Sequence, residues 1–147
     1  MNEGIATSAN DYFKTTDGGN TWDSIKSLTS SYLHDIQYTT YKTFIKSDYG
    51  IVALNSNNQE YILKSPYSIK ILFLNEYQAI AIGQHYNGGY FPYGDIFITN
   101  DTWAHFDNKT YSPSDAYVFT AIAKMSAKKI MILGIGFNTT KVLVFKM

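Results

Sequence analysis

A turn-forming segment recurs in this chain at a spacing that points to a repeat architecture. Tyr12-Phe13-Lys14-Thr15-Thr16-Asp17-Gly18-Gly19-Asn20-Thr21-Trp22 has a counterpart in Asp95-Ile96-Phe97-Ile98-Thr99-Asn100-Asp101-Thr102-Trp103, and Asp17 and Asp101 lie 84 positions apart. That distance is two periods of ~42 residues, the length that a small four-stranded sheet and its turns occupy in repeat folds. A middle copy is eroded. Glu60-Tyr61-Ile62-Leu63-Lys64-Ser65 keeps the strand and the terminal hydroxyl, but Pro66 and Tyr67 stand where the acidic turn belongs. A last copy, Lys141-Val142-Leu143-Val144-Phe145-Lys146-Met147, stops where its turn would begin.

The rest of the chain has the pattern of strands. Alternating or β-branched runs bounded by Gly, Asn, Asp and Ser clusters predict strands over 4–8, 12–16, 22–26, 34–46, 50–55, 60–64, 69–74, 78–83, 95–99, 103–106, 117–125, 129–136 and 141–146. Turn chemistry separates them at Asn10-Asp11, at Asp17-Gly18-Gly19-Asn20, over 55–58 and at Asn138-Thr139-Thr140. A helical alternative exists only over 23–33, and the strand reading is preferred there. Many short strands at close spacing mean an all-β sandwich, barrel or propeller, and the repeat period selects the propeller. The expected fold is a single domain over 1–147. It holds about three to three and a half four-stranded antiparallel blades, in segments near 1–30, 31–74, 75–110 and 111–147. Closed propellers have about four to eight blades, and an open fan would expose sheet edges and apolar faces. Completion by homo-oligomerisation or by partner chains of a larger assembly is therefore expected.

Composition excludes several functions. The 147 residues carry 12 basic and 12 acidic side chains, so the chain lacks the positive charge that phosphate neutralisation requires, and no nucleic-acid partner is expected. Every basic residue is lysine. Lysine cannot copy the planar two-pronged donor of arginine, so no mechanism that clamps a carboxylate in that way is available. Without cysteine there is neither a disulfide framework nor a thiolate metal site. His34, His85 and His105 have no ligand-like spacing, and no calcium-loop pattern occurs, so neither metal nor cofactor is expected. Met1-Asn2-Glu3-Gly4-Ile5 does not read as a signal peptide. The longest apolar stretch, 130–137, is far short of the ~20 residues of a spanning helix. A soluble protein is expected, or a piece of a larger one, with no membrane insertion. Asn100, Asn108 and Asn138 each open an Asn-x-Thr triplet, which has meaning only in a glycosylating pathway.

Thr15-Thr16-Asp17-Gly18-Gly19-Asn20-Thr21-Trp22 resembles the Asp-box, or BNR repeat, with its pattern Ser/Thr-x-Asp-x-Gly-x-Thr-Trp. Taken with the preceding strand, it is similar to the blades of sialidase-type and sortilin-type β-propellers. Thr99-Asn100-Asp101-Thr102-Trp103 keeps the hydroxyl, the acid and the indole but lacks the glycines, and its Trp comes three positions early. That turn is expected to be shortened or rebuilt. The resemblance implies boxes between the third and fourth strands of a blade, on the face opposite the usual binding site. It implies a structural role for Thr15, Asp17, Gly19, Trp22, Thr99, Asp101 and Trp103. In such a turn the carboxylate accepts backbone N–H groups, the glycine adopts a left-handed angle and the indole covers the hairpin.

Sialidases hold substrate with three arginines and use a Tyr/Glu pair. This chain has no arginine, and its only glutamates are Glu3, Glu60 and Glu76, so sialidase activity is rejected and no catalytic residue is assigned. One loop is unusual. His85-Tyr86-Asn87-Gly88-Gly89-Tyr90-Phe91-Pro92-Tyr93-Gly94 places aromatic rings where a few residues would close a hairpin. His85, Tyr86, Tyr90, Phe91 and Tyr93 are the candidate ligand or partner residues, flanked by the inter-blade segments 107–115 and 28–32. Alternatively these rings fold back to plug the centre of the fold. The preferred reading is a non-catalytic structural or adaptor protein that makes protein contacts in a larger assembly, such as a virion or a surface appendage. The alternative is a lectin-like module that binds glycan through this loop, and a glycosidase ranks third.

Overall fold

A computed structural model describes residues 2–26, 32–48, 50–55, 60–63, 68, 70–86, 88, 93–111, 118–136 and 140–146. The strands are β1 (Gly4–Thr7), β2 (Asp11–Thr15), β3 (Asp23–Lys26), β4 (Leu33–Tyr38), β5 (Thr43–Ser47), β6 (Gly50–Leu54) and β7 (Glu60–Leu63). They continue as β8 (Lys70–Phe73), β9 (Ala79–His85), β10 (Tyr93–Thr99), β11 (Asp107–Tyr111), β12 (Val118–Ser126), β13 (Lys129–Ile135) and β14 (Thr140–Lys146). The described residues contain no helix. The fold is all-β, built from four antiparallel meanders: β1-β2-β3, β4-β5-β6-β7, β8-β9-β10-β11 and β12-β13-β14. None of these sheets closes on itself.

The chain divides into two compact units, Met1–Ser65 and Pro66–Met147, with two sheets in each. In the first unit Tyr12, Leu33, Ile45, Val52 and Leu54 form a buried cluster, onto which Ile5, Ile25 and Ile36 pack. In the second unit the cluster is Ile80, Ile82, Ile96, Phe119, Ile130 and Ile132, flanked by Leu72, Leu143 and Phe145 among others. β6 and residues 79–83 of β9 are buried at every position, as their unbroken apolar runs require. β13 alternates instead, with Ile130 and Ile132 buried and Lys129 and Ile135 exposed.

Several sequence expectations differ from the structure. The run 34–46 is two strands, because the Thr39 hydroxyl accepts the Lys42 N–H at 3.2 Å and donates to the Lys42 carbonyl at 3.0 Å, closing a hairpin. Residues 103–106 are turn, for the reason given below. Residues 107–111, expected as part of a linker, are instead the edge strand β11, a polar strand in register with β10 and exposed at all but its last residue. Over 23–33, residues 23–26 are strand β3 and β4 begins at Leu33, while 27–31 lie outside the described residues. The third sheet starts at β8, so Lys70–Phe73 pairs forward with β9 and not with the segment before it. Glu60–Leu63 is the last strand of its sheet, whereas β2 and β10 are next to last. It is therefore no topological counterpart of those two, and the equivalent connection in the second sheet follows Leu54. Residues 64–67 and 137–139, with the rest of the eroded turn and most of the Asn138 turn, lie outside the described residues.

Candidate functional site

The two Thr-x-Asp turns share one hydrogen-bond scheme. In the first, the Thr15 hydroxyl donates to Asp17 Oδ1 at 2.8 Å and accepts the Gly19 N–H at 2.9 Å. Asp17 in turn accepts the Thr21 N–H at 3.0 Å and the Thr21 hydroxyl at 2.7 Å. In the second, the Thr99 hydroxyl contacts Asp101 Oδ1 at 2.9 Å and accepts the Trp103 N–H at 3.1 Å. Asp101 accepts the His105 N–H at 2.9 Å and contacts His105 Nδ1 at 2.6 Å. Each turn is also tied to the residue two before the neighbouring strand, Gly18 N–H to Asn2 O at 2.7 Å and Thr102 N–H to Tyr77 O at 2.9 Å.

This scheme corrects the expected alignment. The second turn is not shortened: it leaves its strand at Thr99 and rejoins at Asp107, just as the first leaves at Thr15 and rejoins at Asp23. Thr102 (φ 60) and Trp103 (φ 66) stand where Gly18 (φ 75) and Gly19 (φ 94) stand, in the left-handed region. His105 replaces Thr21, and Phe106 replaces Trp22. The indoles differ accordingly. Trp22 is 44% exposed and donates its Nε1–H to the Gly19 carbonyl at 3.0 Å, so it caps the turn while keeping part of its ring in solvent. Trp103 is only 3% exposed, lies edge-on to Phe106, and its Nε1 has no partner among the described residues. A left-handed angle is costly for a side chain, and the burial of Trp103 offsets it.

Both carboxylates are held by donors, which favours their charged form. The Thr21 hydroxyl, the Thr21 N–H and then Thr15 hold Asp17 well below the usual carboxylate range. The His105 N–H first, and then its ring, lower Asp101 from 3.8 to about 2. An acid with a depressed folded-state pKa stabilises the fold above its unfolded value, and that stability is lost as pH falls through the folded value. The stability gap between wild type and Asp101→Asn is therefore expected to close as pH drops from 3.8 toward about 2. Urea denaturation across that range measures it; a gap independent of pH would show that the Asp101 charge is not held by the turn.

Each histidine meets an aspartate, a pairing that spacing alone did not signal. His34 pairs with Asp48, and His105 with Asp101. His85 Nδ1 lies 2.5 Å from Oδ2 of buried Asp95, whose Oδ1 accepts the Thr110 hydroxyl at 2.7 Å. Tyr93 stacks on the His85 ring at 5.3 Å. Tyr86 is exposed, while Tyr90 and Phe91 lie outside the described residues. Among the described residues no nucleophilic hydroxyl meets the other His85 nitrogen, and no three His, Asp or Glu side chains gather as a metal site.

Two further features were not foreseen. In the first unit a cavity of about 190 Å³ is lined by Glu3, Ile5, Lys14, Tyr38, Tyr41 and Lys42 among others. The Tyr38 hydroxyl accepts the Ile5 N–H at 3.0 Å and reaches the Ile5 carbonyl at 3.3 Å, capping the open edge of β1. In the second unit the outer face of β12-β13-β14 is apolar. Cross-strand register places Ala121, Leu133 and Val142 in one row, and Ala123, Met131 and Val144 in the next. Val142 and Val144 are each 54% exposed, beside exposed Met125 and Ile135. Compared with known protein families and with curated proteins, the chain has no match.

Proposed function

We propose that this chain is a non-catalytic, propeller-like module of Asp-box type that works by protein contact within a larger assembly. The observation that carries the reading is the apolar outer face of β12-β13-β14, with Val142, Val144, Met125 and Ile135 exposed. A contiguous exposed apolar face of this kind marks an interaction site more often than a free surface. The Thr-x-Asp turns act as structural clips, since their carboxylates are consumed by their own backbone and side-chain donors. A virion or surface appendage is an assembly in which such a module would serve.

The test is a photo-crosslinking residue, p-benzoylphenylalanine, at Val144 of the full chain, irradiated in the cells that make it. A discrete protein adduct is expected, and its absence overturns the reading. The glycan-binding alternative draws on exposed Tyr86 and on the cavity bordered by Tyr38 and Tyr41. It would replace the first reading if no adduct formed and a glycan titration gave binding that Tyr86→Ala or Tyr41→Ala abolished.

A further inference from the structure

The cavity of the first unit lies between the open edge of β1 and the β4–β5 hairpin. Its frame is fixed by hydrogen bonds. The Tyr38 hydroxyl accepts the Ile5 N–H and donates to the Ile5 carbonyl, which ties the hairpin to the strand. The hairpin is closed by the Thr39 N–H on the Lys42 carbonyl at 2.9 Å and by the Thr39 hydroxyl on the same residue. At this end of the first sheet the Asn2 carbonyl accepts the Gly18 N–H, so the cavity lies at the Thr-x-Asp end of the strands. The Asp-box resemblance puts the usual binding site at the other end, and this cavity is distinct from it.

Four lining side chains decide what can enter. Tyr38 is 60% exposed and Tyr41 72%. Both hydrogen bonds of the Tyr38 hydroxyl go to Ile5, so the part of Tyr38 that meets a ligand is its ring. Glu3 and Lys14 belong to the same side of the sheet, because Lys14 is opposite Ile5 and Glu3 is two residues before it. Both line the cavity, yet they form no ion pair with each other, and neither side chain has a hydrogen-bond partner among the described residues. A carboxylate acceptor and an ammonium donor thus share one small space without being joined.

An apolar molecule would strip water from both charges and give nothing in return. A polyanion would gain Lys14 and Lys42 but meet Glu3, and a cation would meet two lysines. A ring bearing hydroxyls satisfies both, since a hydroxyl can donate to a carboxylate and accept from an ammonium. Its C–H surface can pack on a tyrosine ring, which is the apolar part of that side chain. The volume of about 190 Å³ is below the roughly 300–1,000 Å³ of pockets that enclose drug-sized molecules, which limits the occupant to about one ring. We propose that this cavity binds a neutral pyranose, with Glu3 and Lys14 holding its hydroxyls and the Tyr38 and Tyr41 rings packing on its C–H surface. The cavity belongs to the first unit and the apolar face to the second, so sugar binding stands or falls separately from protein contact.

The test is a nuclear magnetic resonance titration of the ¹⁵N-labelled full chain. The probes are the methyl glycosides of glucose, galactose, mannose and N-acetylglucosamine, with glycine and inorganic phosphate as comparisons. At least one glycoside should shift the amides of residues 3–5, 14 and 38–43 saturably, with a Kd of about 1–10 mM, as befits a ligand of a single ring. Tyr41→Ala and Lys14→Met should each weaken that binding about tenfold, and Tyr41→Phe should restore it. Tyr41 stands on an exposed turn, so the Ala and Phe variants should fold as wild type by circular dichroism and carry the test should Lys14→Met not fold. No saturable shift with any glycoside would overturn the proposal, as would binding that neither Tyr41→Ala nor Lys14→Met changes. Shifts produced by glycine or phosphate and by no glycoside would overturn it in favour of a zwitterion or anion site. Glycoside shifts confined to residues 85–94 would overturn this site while leaving glycan binding by that loop.

Discussion

Phe119→Ala is expected to destabilise the second unit by about 3–5 kcal/mol, the range for a large aromatic removed from a closed core. Phe119 is 1% exposed, belongs to the cluster with Ile80, Ile82, Ile96, Ile130 and Ile132, and lies edge-on to Tyr111 at 5.4 Å. It sits beside a register shift in the β12–β13 ladder, where the strand bends. That position links β12 to the third sheet, so neighbouring side chains cannot collapse into the space without moving a strand. Urea denaturation gives the magnitude, and hydrogen exchange should locate the loss of protection in β9, β10, β12 and β13. A change under about 1 kcal/mol would mean that the third and fourth sheets do not share a packed core.

The second large effect belongs to Thr99→Val, which keeps the shape of the side chain and removes one oxygen. That hydroxyl accepts two backbone N–H groups, from Asp101 at 3.3 Å and Trp103 at 3.1 Å, and its proton is offered to Asp101 Oδ1 or the His105 carbonyl. Thr99 is 1% exposed and Trp103 3%, so water has little access to the Trp103 N–H left behind, whereas Asp101 is exposed. One buried group left unpaired costs about 1–3 kcal/mol, and a loss of that size is expected. Thr99→Ser keeps the oxygen and should recover most of it. If Val and Ser variants were equally stable, the shared hydrogen-bond scheme would not be what holds the turn.

Local chemistry explains what was legible in the amino-acid order. Gly50-Ile51-Val52-Ala53-Leu54 and Ala79-Ile80-Ala81-Ile82 are unbroken apolar runs with β-branched residues, and both form buried strands. The hairpin at 39–42 was hidden because Thr39, Thr40 and Tyr41 are themselves strand formers, and only a hydroxyl hydrogen bond turns the chain there. β11 was hidden because Asp107-Asn108-Lys109-Thr110 has turn composition; cross-strand pairing, with Thr110 on Asp95, makes it a strand. In the second Thr-x-Asp turn the tryptophan misled. Sequence comparison anchors on the indole, whereas the structure aligns backbone angles and puts Trp103 in a glycine position. His85 with Asp95 was equally invisible, since ten residues separate them and only the β9–β10 ladder brings them into contact.

The order of residues alone determined that this chain is all-β and that two of its turns carry a threonine and an aspartate placed to clip them. These properties are local or additive, and need no knowledge of neighbours. Only tertiary structure decided which side of a strand faces outward. Val142, Leu143, Val144 and Phe145 are all apolar, so hydropathy along β14 has no alternation to read. Packing on the second unit's core takes Leu143 and Phe145 and leaves Val142 and Val144 facing outward, because a pleated strand can give a single core only every second side chain.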